Sequence, residues 1–337
     1  MKVCVTGGSG FVGGHLVRVL LERGASVRCL VRNSGGPDAL EGLPVERVVG
    51  DLRDRERVCE AVRGCTQVFH CAADYRLWVP DAGAMLRSNV DGTRHVLEAA
   101  AAAGVERVVH TSSVGALGLA SHGAAADECE PVRLGQMIGP YKRSKFLAER
   151  VAEEWAARGL NVVIVNPSTP VGERDVKPTP TGQMIVDFLA GRMIAYAETG
   201  LNLIDVRDVA LGHVLAAERG RSGEKYILGN RNMTLKEILD TLARITGLPA
   251  PRVKLPHWVP LAVSAVDSSF ARLTRRPPRI PVDAVRMARY KMFFDSSKAV
   301  RELGLPQTPV EQALERAVSW FRAEREPKPA ARRAVVP

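Results

Sequence analysis

Val3-Cys4-Val5-Thr6-Gly7-Gly8-Ser9-Gly10-Phe11-Val12-Gly13 is the stretch that decides the fold. Residues 2–5 form a short apolar run, the pattern of a strand buried on both faces. Gly7, Gly10 and Gly13 follow, and then Leu16, Val17, Val19 and Leu20 recur at helical spacing up to Gly24. Strand, glycine turn and helix in that order bring the helix's first N–H groups and its positive dipole end up to a pyrophosphate. The missing side chains allow a tight turn, close phosphate approach and close packing of helix on strand. The spacing is G-x-x-G-x-x-G rather than G-x-G-x-x-G. Alone it would equally fit a turn with no ligand, so the reading rests on what surrounds it.

Outward from that start, strands and helices alternate. Apolar runs predict strands at 27–31, 45–50, 68–72, 107–111 and 162–166, with helices near 54–63, 85–103 and 142–158. Repeated βα units with apolar strands imply a parallel sheet covered on both faces, and right-handed crossovers make it a doubly wound α/β fold of the Rossmann type. Its ligand belongs at the carboxyl ends of the strands. After Pro167 the rhythm breaks, with Pro170, Pro178 and Pro180 in an irregular stretch. We therefore expect a dinucleotide-binding domain over 1–166 with returning segments near 200–218 and 290–297. A smaller substrate-binding region then covers 167–322, with Lys225–Leu228 as an isolated strand, and 323–337 is a disordered basic tail.

The 337-residue chain, 46% hydrophobic, is long enough to bury a large core. No stretch approaches the ~20 apolar residues that span a bilayer, and the chain enters a strand at once without a secretory leader. Six cysteines lack metal-ligand spacing, and Cys4, Cys29 and Cys71 fall in apolar strands. The expectation is a reduced cytoplasmic enzyme with no metal. The net charge of +10 comes partly from the tail and partly from Arg272, Arg275, Arg276, Arg279, Arg286 and Arg289. That second cluster would suit an anionic substrate or a membrane surface. No base-reading motif accompanies it, which argues against nucleic acid.

The end of the second strand reports cofactor choice. An acidic residue about twenty positions past the glycines accepts from the adenosine ribose in NAD sites. Here the segment is Leu30-Val31-Arg32-Asn33-Ser34, without a carboxylate. Arg32, aided by Asn33, is suited to a 2′-phosphate, which favours NADP(H) over NAD(H). Asp51 and Leu52 follow the third strand, where they would meet the adenine; Asp51 is nearly as well suited to a turn.

Chemistry enters with Tyr141-Lys142-Arg143-Ser144-Lys145. Tyr141 and Lys145 are i and i+4 on one helix face. A phenol of pKa ~10 becomes a useful acid/base when a nearby ammonium and an oxidised nicotinamide both favour its anion. Ser113, closing the fifth strand, would orient the substrate oxygen, with Thr111 and Ser112 as alternatives. Tyr75, Arg174 and Lys177 are candidates for substrate contact, the last two for an anionic group. His70 reads as a buried strand residue. His257 and Trp258 open an apolar helix.

Together these motifs resemble the extended short-chain dehydrogenase/reductases over residues 1–322. Gly50-Asp51-Leu52, His70-Cys71-Ala72-Ala73, Asn89-Val90-Asp91-Gly92-Thr93, Asn166-Pro167-Ser168-Thr169 and Asp205-Val206-Arg207-Asp208 add to the likeness. The resemblance implies that the loop from Thr6 to Gly13, Phe11 and Val12 included, holds the pyrophosphate. It implies that Ala72 and Ala73 line the cofactor, with Thr111 alongside, and that Asn89 ends near the catalytic helix. Asn166, Pro167, Ser168 and Thr169 would cover the nicotinamide, and a homodimer would form through helices 85–103 and 142–158. Ala73-Asp74-Tyr75-Arg76-Leu77-Trp78 and Lys177-Pro178-Thr179-Pro180 narrow it towards hopanoid-associated sugar epimerases, themselves similar to dihydroflavonol 4-reductases. That implies a small polyol, sugar-like or lipid-linked substrate. Arg32 favours net reduction, with a cofactor-retaining epimerase or dehydratase as the alternative. Intact Ser113, Tyr141 and Lys145 count against a third class, the dinucleotide-sensing regulator without turnover.

Overall fold

The computed structural model describes residues 1–32, 39–274, 278 and 281–324. Asn33, much of the arginine cluster after Leu273 and the tail from Arg325 lie outside the described residues. The first half builds β1 (Lys2–Thr6), α1 (Phe11–Glu22), β2 (Ser26–Val31), β3 (Glu46–Val49), α2 (Arg55–Val62) and β4 (Gln67–His70). α3 (Ala82–Leu86) runs through a π-helical turn (Arg87–Asp91) into α4 (Gly92–Ala102), followed by β5 (Arg107–Thr111), α5 (Gly139–Ala157) and β6 (Val162–Pro167).

These strands lie parallel, and β1 stands between β4 and β2. Side chains alternate between two cores, as a strand's period of two requires. Val3, Val5, Cys29, Phe69, Val109 and Val163 face α1, while Cys4, Leu30, Val68, Val108 and Ile164 face α2, α4 and α5. Strand order reverses beside β1, so a crevice opens at the carboxyl ends of β1 and β4. β4 stops at His70, two residues short of the expected end, which leaves Cys71, Ala72 and Ala73 as coil at that crevice.

The second half contributes β7 (Thr169–Val171), α6 (Pro180–Leu189), β8 (Ala195–Ala197), β9 (Gly200–Asp205), α7 (Val206–Arg219), β10 (Lys225–Leu228) and β11 (Arg231–Thr234). It ends with α8 (Leu235–Thr246), β12 (Val253–Leu255), α9 (Trp258–Thr274), α10 (Val282–Met287), β13 (Lys291–Met292), α11 (Ser297–Leu303) and α12 (Val310–Ala323). Two expectations need correction. Lys225–Leu228 is not isolated: β10 pairs with β6 and completes a seven-stranded sheet. Tyr226, Ile227 and Leu228 are fully buried, and only a sheet covered on both faces offers that. Residues 201–205 do not rejoin the main sheet; β9 centres a separate sheet with β11, β13 and β7. Its Asn202 amide bonds Asn232 and the Phe294 carbonyl there. What returns is α7, packed on α1, and α11, packed on α7 and β10. α6, α8 and α12 close a third core around Ile185, Leu239, Leu242 and Leu314.

Candidate active site

The glycine turn is built to admit an anion. Gly7 has φ +75°, and a Cβ there would lie 2.6 Å from the Ala72 nitrogen; one on Gly13 would lie 2.1 Å from the Gly7 carbonyl oxygen. Only glycine lets β1, α1 and the end of β4 approach so closely. No side chain caps α1 and no acidic residue sits in its first turn, so the N–H groups of Phe11, Val12 and Gly13 face the crevice end. A dinucleotide pyrophosphate fits this cradle.

Arg32 is exposed at the end of β2. Asp51 is engaged by Arg53, whose Nε donates to Oδ1 at 2.7 Å and Nη2 to Oδ2 at 3.2 Å. Those bonds hold the Asp51 carboxyl below its ordinary value, and the charge of Arg32 adds to the pull. The Leu52 side chain packs in the core against Gly92, so the adenine can meet only its main chain.

Tyr141 sits in the first turn of α5, just after Pro140. Its ring lies beside the Ser113 hydroxyl; burial pushes the phenol above its ordinary value, and Ser113 pulls it back. Ser113 Oγ also accepts from the Gly115 nitrogen at 3.0 Å. The buried Lys145 ammonium donates to the Thr111 carbonyl at 2.6 Å. Burial lowers it to about 8, against the opposing charge of Glu149. For Tyr141 burial outweighs the pull of Ser113, so the phenol is held protonated at neutral pH; the positive ring of an oxidised nicotinamide would lower it.

The three consecutive hydroxyls separate cleanly. His213 donates from Nδ1 to the Val209 carbonyl at 2.7 Å, so its Nε2 accepts from Thr111 Oγ1 at 2.9 Å. Ser112 Oγ donates to Glu149 Oε2 at 2.5 Å. Of the three, Ser113 lies beside the Tyr141 ring. Asn166 is fully buried and donates to Glu149 Oε2 at 2.7 Å and to the Ser113 carbonyl at 3.1 Å. Its amide nitrogen braces the strand ends, while its Oδ1 is buried without a partner and is an open acceptor towards the crevice residues. Asn89 is fully engaged. The widened π-helical turn aims it so that Oδ1 accepts from the Asp74 nitrogen, while Nδ2 donates to the Asp74 carbonyl and Ser144 Oγ. It clamps the loop after β4 to the catalytic helix. His70 is buried and neutral, its pKa driven to about 3 by burial.

Ser168 follows Pro167 at the end of β6 and donates its N–H to the Leu228 carbonyl at 3.0 Å; Thr169 opens β7. The Ser168 Oγ is buried without a partner, an open donor and acceptor consistent with a nicotinamide amide. Tyr75 is exposed. Its phenol is raised first by burial and then by the charges of Asp175 and Asp74. Arg174, exposed with φ 64°, and the exposed Lys177 lie on a loop tied to α1, where His15 donates to the Glu173 carbonyl at 2.9 Å.

Three residues were missed from sequence. Glu149 continues the Tyr141–Lys145 stripe one turn on and is fully buried. Asp175 is buried; Oδ2 accepts from the Thr179 nitrogen and hydroxyl while Oδ1 has no partner, and burial raises the carboxyl to about 6. Lys142 is buried with its ammonium only 3.9 Å from the Met292 sulfur, and burial lowers it to about 8. The stripe was readable; the other two depend on contacts across the chain. Among the described residues no group of His, Cys, Asp and Glu is arranged to hold a metal, and no helix is long and apolar enough to cross a membrane.

Fold and site together define a nicotinamide-dependent enzyme. The sequence pattern of the NAD-dependent epimerase/dehydratase family matches residues 3–229, and the chain belongs to that family. It is 51% identical to a putative dihydroflavonol 4-reductase of Synechocystis sp., covering 94% of this chain and 93% of that one. It is 38% identical to sterol demethylase protein B of Methylococcus capsulatus, over 96% and 98% of the two chains. Among solved structures, gox2253 superposes with a TM-score of 0.86 at 47% identity, covering 97% of this chain and 99% of the other.

Proposed function

We propose that the protein is an NADP(H)-dependent carbonyl reductase. The observation that carries this reading is the Tyr141 ring beside the Ser113 hydroxyl, one helical turn before the buried Lys145. A neutral phenol there is a proton donor, which reduction requires at neutral pH. A reduced nicotinamide, when bound, would supply the hydride for the carbonyl carbon. Ser113 orients the carbonyl oxygen, Tyr141 gives it the proton, and Lys145 restores that proton from solvent. Lys145 would also hold the nicotinamide ribose. Arg32, exposed where an acidic ribose acceptor would otherwise stand, supports a 2′-phosphate.

The substrate we infer is a small alcohol or ketone, sugar-like or lipid-linked. Relatives named for dihydroflavonol reduction and for sterol demethylation support a carbonyl on a largely apolar ring system. The hopanoid-linked role and the homodimer through α4 and α5 belong to the same proposal. The test is to denature the purified protein and identify what it releases, then to titrate the emptied site. Micromolar NADPH affinity with no retained cofactor supports reduction, and tightly retained NAD supports epimerisation instead. Arg32→Ala should weaken NADPH by about tenfold to a hundredfold and leave NADH unchanged. Equal loss for both would contradict the 2′-phosphate assignment.

A further inference from the structure

α9 turns large apolar side chains outward. Among its described side chains Ser264, Ser268 and Ala271 are buried, at 0%, 8% and 2% exposure, while Trp258 and Val266 stand 69% and 73% exposed and Val263 52%. Trp258, Ala262 and Val266 recur every four residues and form one stripe along the outer face. A soluble helix ordinarily does the reverse. Val253 on β12, just before α9, extends the apolar surface at 57% exposure.

Exposed cations flank α9. Arg252 and Lys254 lie at β12, the strand that leads into α9, and Arg286 and Arg289 at α10, which packs on α9; Lys254 pairs with Glu198 and Arg286 with Asp283. We propose that this face of α9 docks on an anionic lipid bilayer, with the apolar stripe in the headgroup boundary and the cations on the lipid phosphates. Tryptophan is a side chain favoured at that depth. The same charge disfavours a second copy as occupant, since two-fold pairing would set the basic face against itself. α9 packs on α10, whose Asp283 carboxylate lies against Gly139 in the first turn of the catalytic helix. The docked face is therefore one short helix away from Tyr141.

The test is sedimentation of the full-length protein with vesicles of phosphatidylglycerol mixed with phosphatidylcholine, and of phosphatidylcholine alone. The wild type should pellet with the anionic vesicles and be released by high salt. Val266→Asp, exposed and so expected to keep the wild-type melting temperature, should lower the apparent vesicle affinity roughly tenfold or more. Trp258→Phe should remove a blue shift in fluorescence seen when the wild type binds. The proposal is overturned if the wild type stays in solution with anionic vesicles, or if Val266→Asp pellets equally well. It is also overturned if Val266→Asp turns a dimer into a monomer without lipid, which would assign the face to a second copy.

Discussion

The floor of the crevice and its rim follow opposite rules. On the floor, Ser112 and Asn166 both donate to Glu149 and Thr111 donates to His213, and of these side chains only Asn166 keeps a buried polar atom, Oδ1, without a partner. On the rim, Ser168 Oγ and one Asp175 oxygen have none, and Lys142 has only a thioether. A satisfied buried network is rigid, whereas an unsatisfied polar atom costs stability until something binds it. On the proposed function, the first group would hold the catalytic geometry and the second would be open to a ligand. Tyr141 stands where the two meet.

The comparison can be broken in order of expected effect. Tyr141→Phe removes the proton donor while keeping the ring, so turnover of any accepted carbonyl should fall roughly a thousandfold with NADPH affinity unchanged. An equal loss of cofactor binding would make Tyr141 structural. Glu149→Ala strips the floor of its acceptor and leaves the Ser112 and Asn166 donors buried and unpaired. Denaturant unfolding should show a loss of about 3 kcal/mol. A loss within measurement error would mean that the network is not rigid.

The smallest effect tests the rim. Asp175 has a folded pKa raised to about 6 from an ordinary 3.8, so the native state prefers it protonated. That preference stabilises the protein fully below about pH 4 and is lost as pH rises through about 6. Asp175→Asn cannot ionise. Its stability relative to wild type should climb by about 2 kcal/mol between pH 4 and pH 7, read by urea unfolding at both values. A pH-independent difference would place the carboxyl in water.

Sequence made the floor's backbone legible and left the rim obscure. The apolar runs of β1, β4, β5 and β6 could be nothing but buried strands, and Gly7 and Gly13 mark contacts that only glycine survives. The i,i+4 spacing of Tyr141 and Lys145 likewise carries its own geometry. By contrast, Thr111, Ser112 and Ser113 are chemically interchangeable on paper. Only His213 and Glu149, distant in the chain, reveal which hydroxyl is free. The bracing bond from Asn166 is hidden for the same reason: its partner Glu149 lies on another element. β10 was misread as isolated because the strand it joins lies some sixty residues earlier. Asp175 gave no local signal, since its burial comes from the packing of the loop against α6.

The most direct measurement is the titration of the Tyr141 phenol itself, by NMR of ring-labelled tyrosine with Tyr141→Phe supplying the assignment. It needs no substrate. The phenol should titrate above its ordinary value of 10 in the free protein and fall clearly when NADP⁺ binds, because the ring's positive charge then favours the phenolate. A phenol whose titration ignores bound NADP⁺ would place Tyr141 away from the nicotinamide and contradict the catalytic role given to it.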